Sequence, residues 1–434
     1  MPDDQRGSLR TRRDVLKTAG AASVVGTSGL AGCFGGSSEG GGSDATDSSD
    51  GESGSSVDIT GVWSGSEQED FSAVMSFVEE NTGIGLEYHP RDTDTLLTGT
   101  LMDYESGVAP ADVVVMPSPA RIVSDAKNGH LAPLGDTWNA DDFAVDPSRV
   151  TVDGKVYAAP FKMDIKPGFW YRKSFFDEHD LSEPESWDEF VGLLDTISGI
   201  EGVDAPIASG GGAGWPLSDV TEGFFMRQES GAALQQNLIS GDASFTDDRV
   251  ATAFEEIKTL HDEGYFSKMR KFGVQYEYFW ENTHPLYFMG SFTPAQNAVK
   301  DPSDLGVFRL PGVDGVASSV NWFTVPKYSK NVDAAREAVS SFVSAEGQQV
   351  WAERGGFIAS NTQVPDDAYE LQVMANLSDI AADVTIVPDL DDALGNPFQE
   401  EFWSQLKGLW ASPDTETAEI VSALDDAHEE TLSN

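Results

Sequence analysis

The chain has 434 residues and a formal charge of −46, with 27 Lys and Arg against 73 Asp and Glu. That length exceeds what one hydrophobic core usually organises, so two lobes plus extensions are expected. A polyanion would be repelled over most of such a surface, which excludes nucleic acid as an ordinary partner.

The N-terminus carries Thr11-Arg12-Arg13-Asp14-Val15-Leu16-Lys17, which resembles a twin-arginine export signal with Arg12 and Arg13 as its basic pair. A weakly apolar, Gly- and Ala-rich stretch follows to Leu30, too short to span a membrane. Leu30-Ala31-Gly32-Cys33 then reads as a lipobox, with cleavage before Cys33 and a lipid on its thiol. The bland alternative is a chance arginine pair and an idle cysteine. Cys33 is the single cysteine of the chain, so no internal disulfide is expected and the fold must rest on its core. Phe34 to Ser56 is almost entirely Gly, Ser, Asp, Glu and Thr, a composition that buries nothing. It reads as a flexible tether with a mean span of roughly 25 Å.

Folded sequence is expected from Val57. Val57 to Trp63 reads as a strand, and Ser66-Glu67-Gln68-Glu69 as a capping box. Phe71, Val74, Met75 and Val78 continue at helical spacing until Asn81-Thr82-Gly83. A strand over Gly85 to His89, a helix over Thr93 to Ser106, a strand over Asp112 to Met116 and a helix over Ser118 to Asn128 follow. Strands alternating with helices imply a parallel sheet covered on both faces, with ligands beyond the carboxyl ends of the strands. That rule selects Trp63, Ser64, Gly65 and Ser66 after the first strand, and Pro117 and Ser118 after the third. Glu67 is within reach of the same place, although a carboxylate also suits a helix N-terminus for its own sake.

Asp153 to Lys173 is the central stretch. Pro160 and Pro167 disfavour helix, and Lys162 and Asp164 alternate with Phe161, Met163 and Ile165. An extended backbone puts both charges on one side. The segment reads as a strand crossing between lobes with its polar side on a cleft; the alternative is an edge strand with solvated charges. Ser186-Trp187-Asp188-Glu189 is a second capping box before the stripe Phe190, Leu193, Leu194 and Ile197. Ser209 to Asp219 is Gly-rich without a dinucleotide or P-loop spacing. It reads as a loop that delivers Trp215 to a cleft and starts a helix at Ser218 or Asp219; the alternative for Trp215 is packing on its own helix. Thr246 to Gly264 is an amphipathic helix, Tyr276 to Trp280 an aromatic run assigned mainly to the core, and Leu286 to Phe292 a strand ending in a Gly-Ser turn. Leu305 to Pro311 reads as a second crossing. Val332 to Arg354 is a long helical pattern interrupted at Glu346-Gly347, and Phe398 to Leu409 with Glu416 to Leu432 is a final helical region.

In their wording and order, the Asp153–Lys173 stretch, the loop with Trp215, Met289-Gly290-Ser291-Phe292 and the Gly355–Asn361 segment resemble extracellular solute-binding proteins. The resemblance is to the carbohydrate type, the maltose-binding-protein-like partners of ABC importers, and within it to those associated with sugars and alpha-glucosides. It implies an α/β, two-lobed periplasmic-binding-protein-like (type II) fold, each lobe a mainly parallel sheet flanked by helices and joined by crossover segments. The division it implies is a signal over 1–32, a tether over 33–56, an N-terminal lobe over 57–161 and 308–343, and a C-terminal lobe over 162–307 and 344–434. The pocket residues would be Trp63, Ser64, Glu67, Ser118, Lys162, Asp164, Trp215, Asp219, Phe292 and Trp322, with aromatics for sugar faces and carboxylates for paired hydroxyls. Asn321-Trp322-Phe323 departs from the glycine-rich turn with an acidic residue that relatives often carry there, which puts the ligand's identity in doubt. The expected partners are a small sugar, ABC permease subunits and a membrane reached through the lipid on Cys33. No cofactor or metal and no oligomer are expected. Low Lys content with abundant Asp and Glu also resembles haloarchaeal secreted proteins, whose self-repulsion salt screens. Binders of another solute, such as a polyamine or glycerol phosphate, share the architecture.

An enzyme reading finds little purchase. His89, His130, His179, His261, His284 and His428 are scattered without a zinc spacing. The Gly-x-Ser-x-Gly match at Gly36 to Gly40 lies in the tether, with no strand before it. Asp389, Asp391 and Asp392 suggest calcium, yet the EF-hand glycine and glutamate are missing and such runs are usually a solvated face. Asn376-Leu377-Ser378 is a formal glycosylation acceptor.

Overall fold

The computed structural model of the chain describes residues 55–433 apart from 370, 375–376, 378–383 and 413. Arg12, Arg13, Cys33, nearly all of the expected tether and Asn376 lie outside the described residues.

The first lobe is built as the alternation predicts. Strands β1 (Ser56–Gly61), β2 (Gly85–Pro90) and β3 (Val113–Met116) are parallel, connected through helices α1 (Ser66–Thr82), α2 (Thr93–Glu105) and, after β3, α3 (Pro119–Lys127). Val113 to Met116 are all buried because helices cover both faces of the sheet. One face packs on Phe71, Val74, Phe161, Phe323, Phe342 and Trp351, the other on Leu96, Tyr104, Ile122, Val320 and Trp322. The capping box expected at Ser66 does not form. Gly65 is the N-cap, without a side-chain cap bond, and Ser66 Oγ donates instead to Ala295 O across the lobes.

A small hairpin, β4 (Thr151–Val152) with β5 (Lys155–Val156), precedes the crossing strand β6 (Ala159–Ile165). The second lobe follows with β7 (Gly168–Arg172), α4 (Lys173–Glu178), α5 (Trp187–Ser198), α6 (Trp215–Met226), α7 (Gly231–Ser240), α8 (Asp248–Asp262), α9 (Phe272–Trp280), β8 (Tyr287–Met289) and β9 (Leu305–Phe308). At α5 the serine half of the box forms, with Glu189 N donating to Ser186 Oγ at 3.3 Å, while the Glu189 carboxylate accepts from Glu185 N, one residue before the cap, at 2.8 Å. Helix α6 begins three residues before the earlier of the two expected starts, at Trp215, because Gly214 (φ 100°) turns the chain and Pro216 suits the first helical turn. Strands β8, β7 and β9 form an antiparallel sheet, and parallel bridges at Ile207 extend its β8 side.

The expected second crossing at Leu305 to Pro311 is placed differently. Leu305 to Phe308 belong to this second-lobe sheet as β9, and the return is made by β10 (Gly315–Thr324), which pairs antiparallel with β6 from Ser318 to Phe323. On its other edge β10 pairs with β3 through Trp322 to Thr324, and with β12 (Thr385–Pro388) through Gly315 to Ser318. The sheet order among the described residues is thus β11-β6-β10-β3-β1-β2, with β12 joined to β10 and β11 (Ile358–Ala359) at the β6 edge. Between β10 and β11 lie α10 (Val332–Phe342) and α11 (Ala345–Ala352). Their break falls at Val343-Ser344, since Ser344 Oγ accepts from Gly347 N and caps α11, leaving Glu346-Gly347 inside the helix. Helices α12 (Leu390–Leu394), α13 (Phe398–Ala411) and α14 (Thr417–Ser433) pack onto the second core with Phe224, Phe225, Phe254 and Ile257.

Candidate ligand-binding site

The alternation of β6 sets the site. Lys162 and Asp164, two residues apart, project to one side, and Lys162 Nζ donates to Asp164 Oδ1 and Oδ2 at 2.9 and 2.7 Å. This ammonium is only 1% exposed, a position a lysine holds only when paired. Glu67, from the first turn of α1, supplies a second carboxylate oxygen at 3.2 Å. Burial alone would lower the lysine's pKa; Asp164 and Glu67 more than offset it and hold it above its ordinary value. Burial raises Glu67 in turn, against the pull of Lys162. Ser291, in the turn after β8, donates to Asp164 Oδ1 at 3.1 Å and accepts from Ile165 N at 3.2 Å.

One further step along the strand direction, Lys166 repeats the arrangement in the second lobe. Its Nζ lies 2.8 Å from Asp219 Oδ2 on α6 and 3.9 Å from Asp389 Oδ2. Burial raises the Asp219 carboxyl to about 7, with Asp389 adding to the rise and Lys166 opposing it. Phe292 sits between the two ammonium groups, its ring centre 5.2 Å from Lys162 Nζ and 5.8 Å from Lys166 Nζ. The half-buried Trp215 ring is 5.3 Å from Lys166 Nζ and meets Phe292 edge-on at 6.2 Å, with Phe272 against both. Carboxylates fixed by lysines beside aromatic faces can accept hydroxyl donors and cover an apolar ring face together.

The lobes touch on both flanks of this cluster. On one, Ser66 bonds to Ala295, and a Cβ on Gly356 (φ +65°) would stand 2.3 Å from Ala295 Cβ. On the other, Ser118 Oγ donates to Asp392 O at 3.1 Å while also capping α3. A cavity of about 1070 Å³ lies on the opposite side of the pleat, between α3 and α7, floored by Met163, Ser318 and Val320. None of Glu67, Lys162, Asp164 or Asp219 lines it.

Of the expected pocket residues, Glu67, Lys162, Asp164, Trp215, Asp219 and Phe292 come together. Ser64 is exposed in the β1–α1 turn, and Ser118 stands at the lobe contact. Trp63 and Trp322 are placed elsewhere. Trp63, 1% exposed, packs among Phe71, Phe161 and Trp351, with its indole N–H on Asn321 Oδ1 at 2.8 Å. Trp322, 0% exposed, is in the core against α2 and α3, because β10 is a strand here rather than a turn and its pleat directs the ring away from Lys162. The solvated face expected of the 389–392 acids is also corrected: Asp389 and Asp391 are buried, since the β12–α12 turn is covered by α6, α7 and α13. Sequence reasoning missed Lys166 and Ser291. Lys166 continues the same period of two as Lys162 and Asp164 and was legible; Ser291 required the tertiary path of the chain.

The comparisons agree with this architecture. The family model of bacterial extracellular solute-binding proteins matches residues 64–349, well over half of the chain. An uncharacterized ABC transporter extracellular-binding protein of Pyrococcus horikoshii is 39% identical over 372 residues, covering 85% of this chain and 87% of that one. The alpha-glucosides-binding periplasmic protein of Rhizobium meliloti is 26% identical over 348 residues, covering 73% and 74%. Among solved structures, the bacterial solute receptor AcbH, described as having an exclusive preference for β-D-galactopyranose, superposes with a TM-score of 0.79 at 19% identity over 88% of this chain and all of that one. Among the described residues no helix is long and apolar enough to cross a membrane. With its type II fold and its match over the lobe-joining segments, the chain belongs to the bacterial extracellular solute-binding proteins, the family of sugar-binding receptors that serve ABC transporters.

Proposed function

We propose that the chain captures a sugar or oligosaccharide, an alpha-glucoside among the candidates, between its lobes and delivers it to the permease of an ABC importer without making or breaking a bond. The observation that carries this reading is the placing of Lys162 and Asp164 on the crossing strand, with Glu67 from one lobe and Phe292, Trp215 and Asp219 from the other. A ligand that touches both halves binds the closed form preferentially and shifts the population toward it. The similarity to the alpha-glucosides-binding protein supports that choice of sugar. The sequence motifs at Arg12-Arg13 and Cys33 support twin-arginine export and a lipid anchor on the outer face of the cell membrane, with 33–56 as leash; the lobe of 57–161 with 308–343 also takes in α11 and the chain to Ala359, whose Trp351 and Phe357 join its core, and 162–307 with the rest of the chain forms the other. The acidic composition supports a halophilic setting, and a single chain suffices for the pocket.

A second reading, a cationic solute such as a polyamine, is favoured by one observation: Asp219 and Asp389 both face Lys166, so acid exceeds base at that end of the pocket. The test is thermal unfolding of the full chain in molar salt against mono- and oligosaccharides, polyamines and phosphate esters, with product analysis. A ligand at about a hundred times its Kd stabilises the fold by roughly 2.7 kcal/mol. A shift with one sugar group and no products is expected; a shift with polyamines alone replaces the sugar reading, and turnover overturns the receptor reading.

A further inference from the structure

One turn along α6 from Asp219, Glu222 enters a second group of acids. Its carboxylate and those of Asp389 and Asp391 have oxygens all within 4.8 Å of one another, and the three residues are 0%, 4% and 2% exposed. Among the described residues their only ion pair is Asp389 with Lys166, at 3.9 Å, and that ammonium is already held by Asp219 at 2.8 Å. Three buried carboxyls therefore share part of one cation. Burial pushes Glu222 and Asp391 well above their ordinary values, and the neighbouring Asp389 pushes both further.

The adjacent amide points to what is missing. Gln235, on α7 and 0% exposed, donates from Nε2 to Glu222 Oε2 at 2.5 Å and to Pro388 O at 2.9 Å, while its Oε1 is buried with no hydrogen-bond partner. A half-turn of the amide would present Oε1 to Glu222 Oε2 and Pro388 O, an arrangement that a cation between them, or a proton on Glu222, reconciles. As it stands, Gln235 leaves a buried acceptor stranded beside three carboxyls, a costly arrangement.

We propose that Glu222, Asp389, Asp391 and Gln235 form a site for a hard divalent cation of the calcium class. All four offer oxygen, the donor set that hard cations select. Two oxygens bound to one calcium lie no farther apart than about twice a ~2.4 Å bond, and the three carboxylates fall inside that limit. The cation clips α6, α7 and the β12–α12 turn together. That turn is the one whose Asp392 O receives Ser118 from the other lobe, so the cation steadies a surface on which the lobes meet. It also draws Asp389 away from Lys166, leaving Lys166 to Asp219.

The experiment uses the full chain, stripped with chelator and kept in molar sodium chloride so that surface acids are screened. Terbium is the probe, because the Trp403 indole N–H donates to Asp391 Oδ2 and places a sensitiser at the site. The expected result is one saturable terbium site per chain, displaced by calcium, with a calcium-dependent rise in Tm. Glu222→Gln lowers terbium affinity by roughly tenfold or more and removes the calcium dependence, while its Tm in chelator equals or exceeds the parent's because a repulsion is gone. Asp391→Asn gives the same loss by an independent change and reports alone if the first variant fails to fold. The proposal is overturned if the parent shows no saturable site, or if folded variants bind terbium as the parent does; the carboxyls then hold protons instead. Neither outcome depends on which solute fills the pocket.

Discussion

Asp219→Asn removes one titrating carboxyl from the buried cluster around Lys166 while leaving an oxygen for its Nζ, 2.8 Å away. Burial lifts the Asp219 carboxyl from 3.8 to about 7, so the folded chain keeps a proton that the unfolded chain has already released. For a group raised in this way the contribution to stability is complete below the unfolded value and is lost as pH rises through the folded one. At ~1.4 kcal/mol per pH unit, the interval between the two values amounts to about 4 kcal/mol as an upper figure. The assay is urea unfolding of parent and variant, followed by tryptophan fluorescence in molar salt at steps from about pH 4 to about pH 8, a range that brackets the titration. Glu222 and Asp392 are raised in part by Asp219 itself, so the variant relaxes them as well, and the difference reports the interacting group in the same sense rather than Asp219 alone. The parent is expected to lose stability more steeply with rising pH than the variant, the gap reaching a few kcal/mol, on the order set by that interval. Parallel profiles, or a parent that gains on the variant as pH rises, would refute the reasoning.

Trp215→Ala should weaken binding of whichever solute the thermal panel identifies by more than ~1 kcal/mol, the order expected of an aromatic anchor; calorimetric titration checks this, and an unchanged affinity removes Trp215 from the site. Gly356→Ala places a methyl 2.3 Å from Ala295 Cβ at a backbone φ of +65°, so it should push the lobes apart. Small-angle scattering should show a larger radius of gyration than the parent's, with weaker solute binding; an identical radius and affinity would show that the contact yields elsewhere.

Much of this was legible in the sequence because local chemistry and tertiary role coincide. The alternation around Lys162 and Asp164 survives in β6 with both charges on one side, and the spacing of Phe71, Val74, Met75 and Val78 describes the buried face of α1. The site residues that tertiary structure redirected are aromatic. A tryptophan beside a strand end suits a pocket and a core equally well, and only packing shows that Trp63 and Trp322 went inward. Ser66 failed as a cap for a related reason: its hydroxyl found an acceptor on the other lobe, a competition that no local pattern encodes. The acids of 389–392 misled in the opposite sense. In a chain this acidic a carboxylate run carries little information, and burial of Asp391 is set by helices remote from it in sequence, α6 and α7 before it and α13 with Trp403 after it.

Strand β10 carries its pairing to both lobes, with Gly315 to Ser318 on β12 and Trp322 to Thr324 on β3, so among the described residues Ser319 to Asn321 have no strand partner on that edge. The ladder to β6 shifts register at the end of this gap, between Asn321 and Trp322. A two-stranded ribbon clamped at each end and free along one side in the middle acts as a leaf spring, and bending concentrates where its stiffness drops. Lys162 and Asp164 are the residues of β6 that face Asn321 and Ser319 across the ladder. In the proposed receptor, a solute bearing on that pair of charges would load the spring at its weakest span, where little force is needed to set the angle between the lobes.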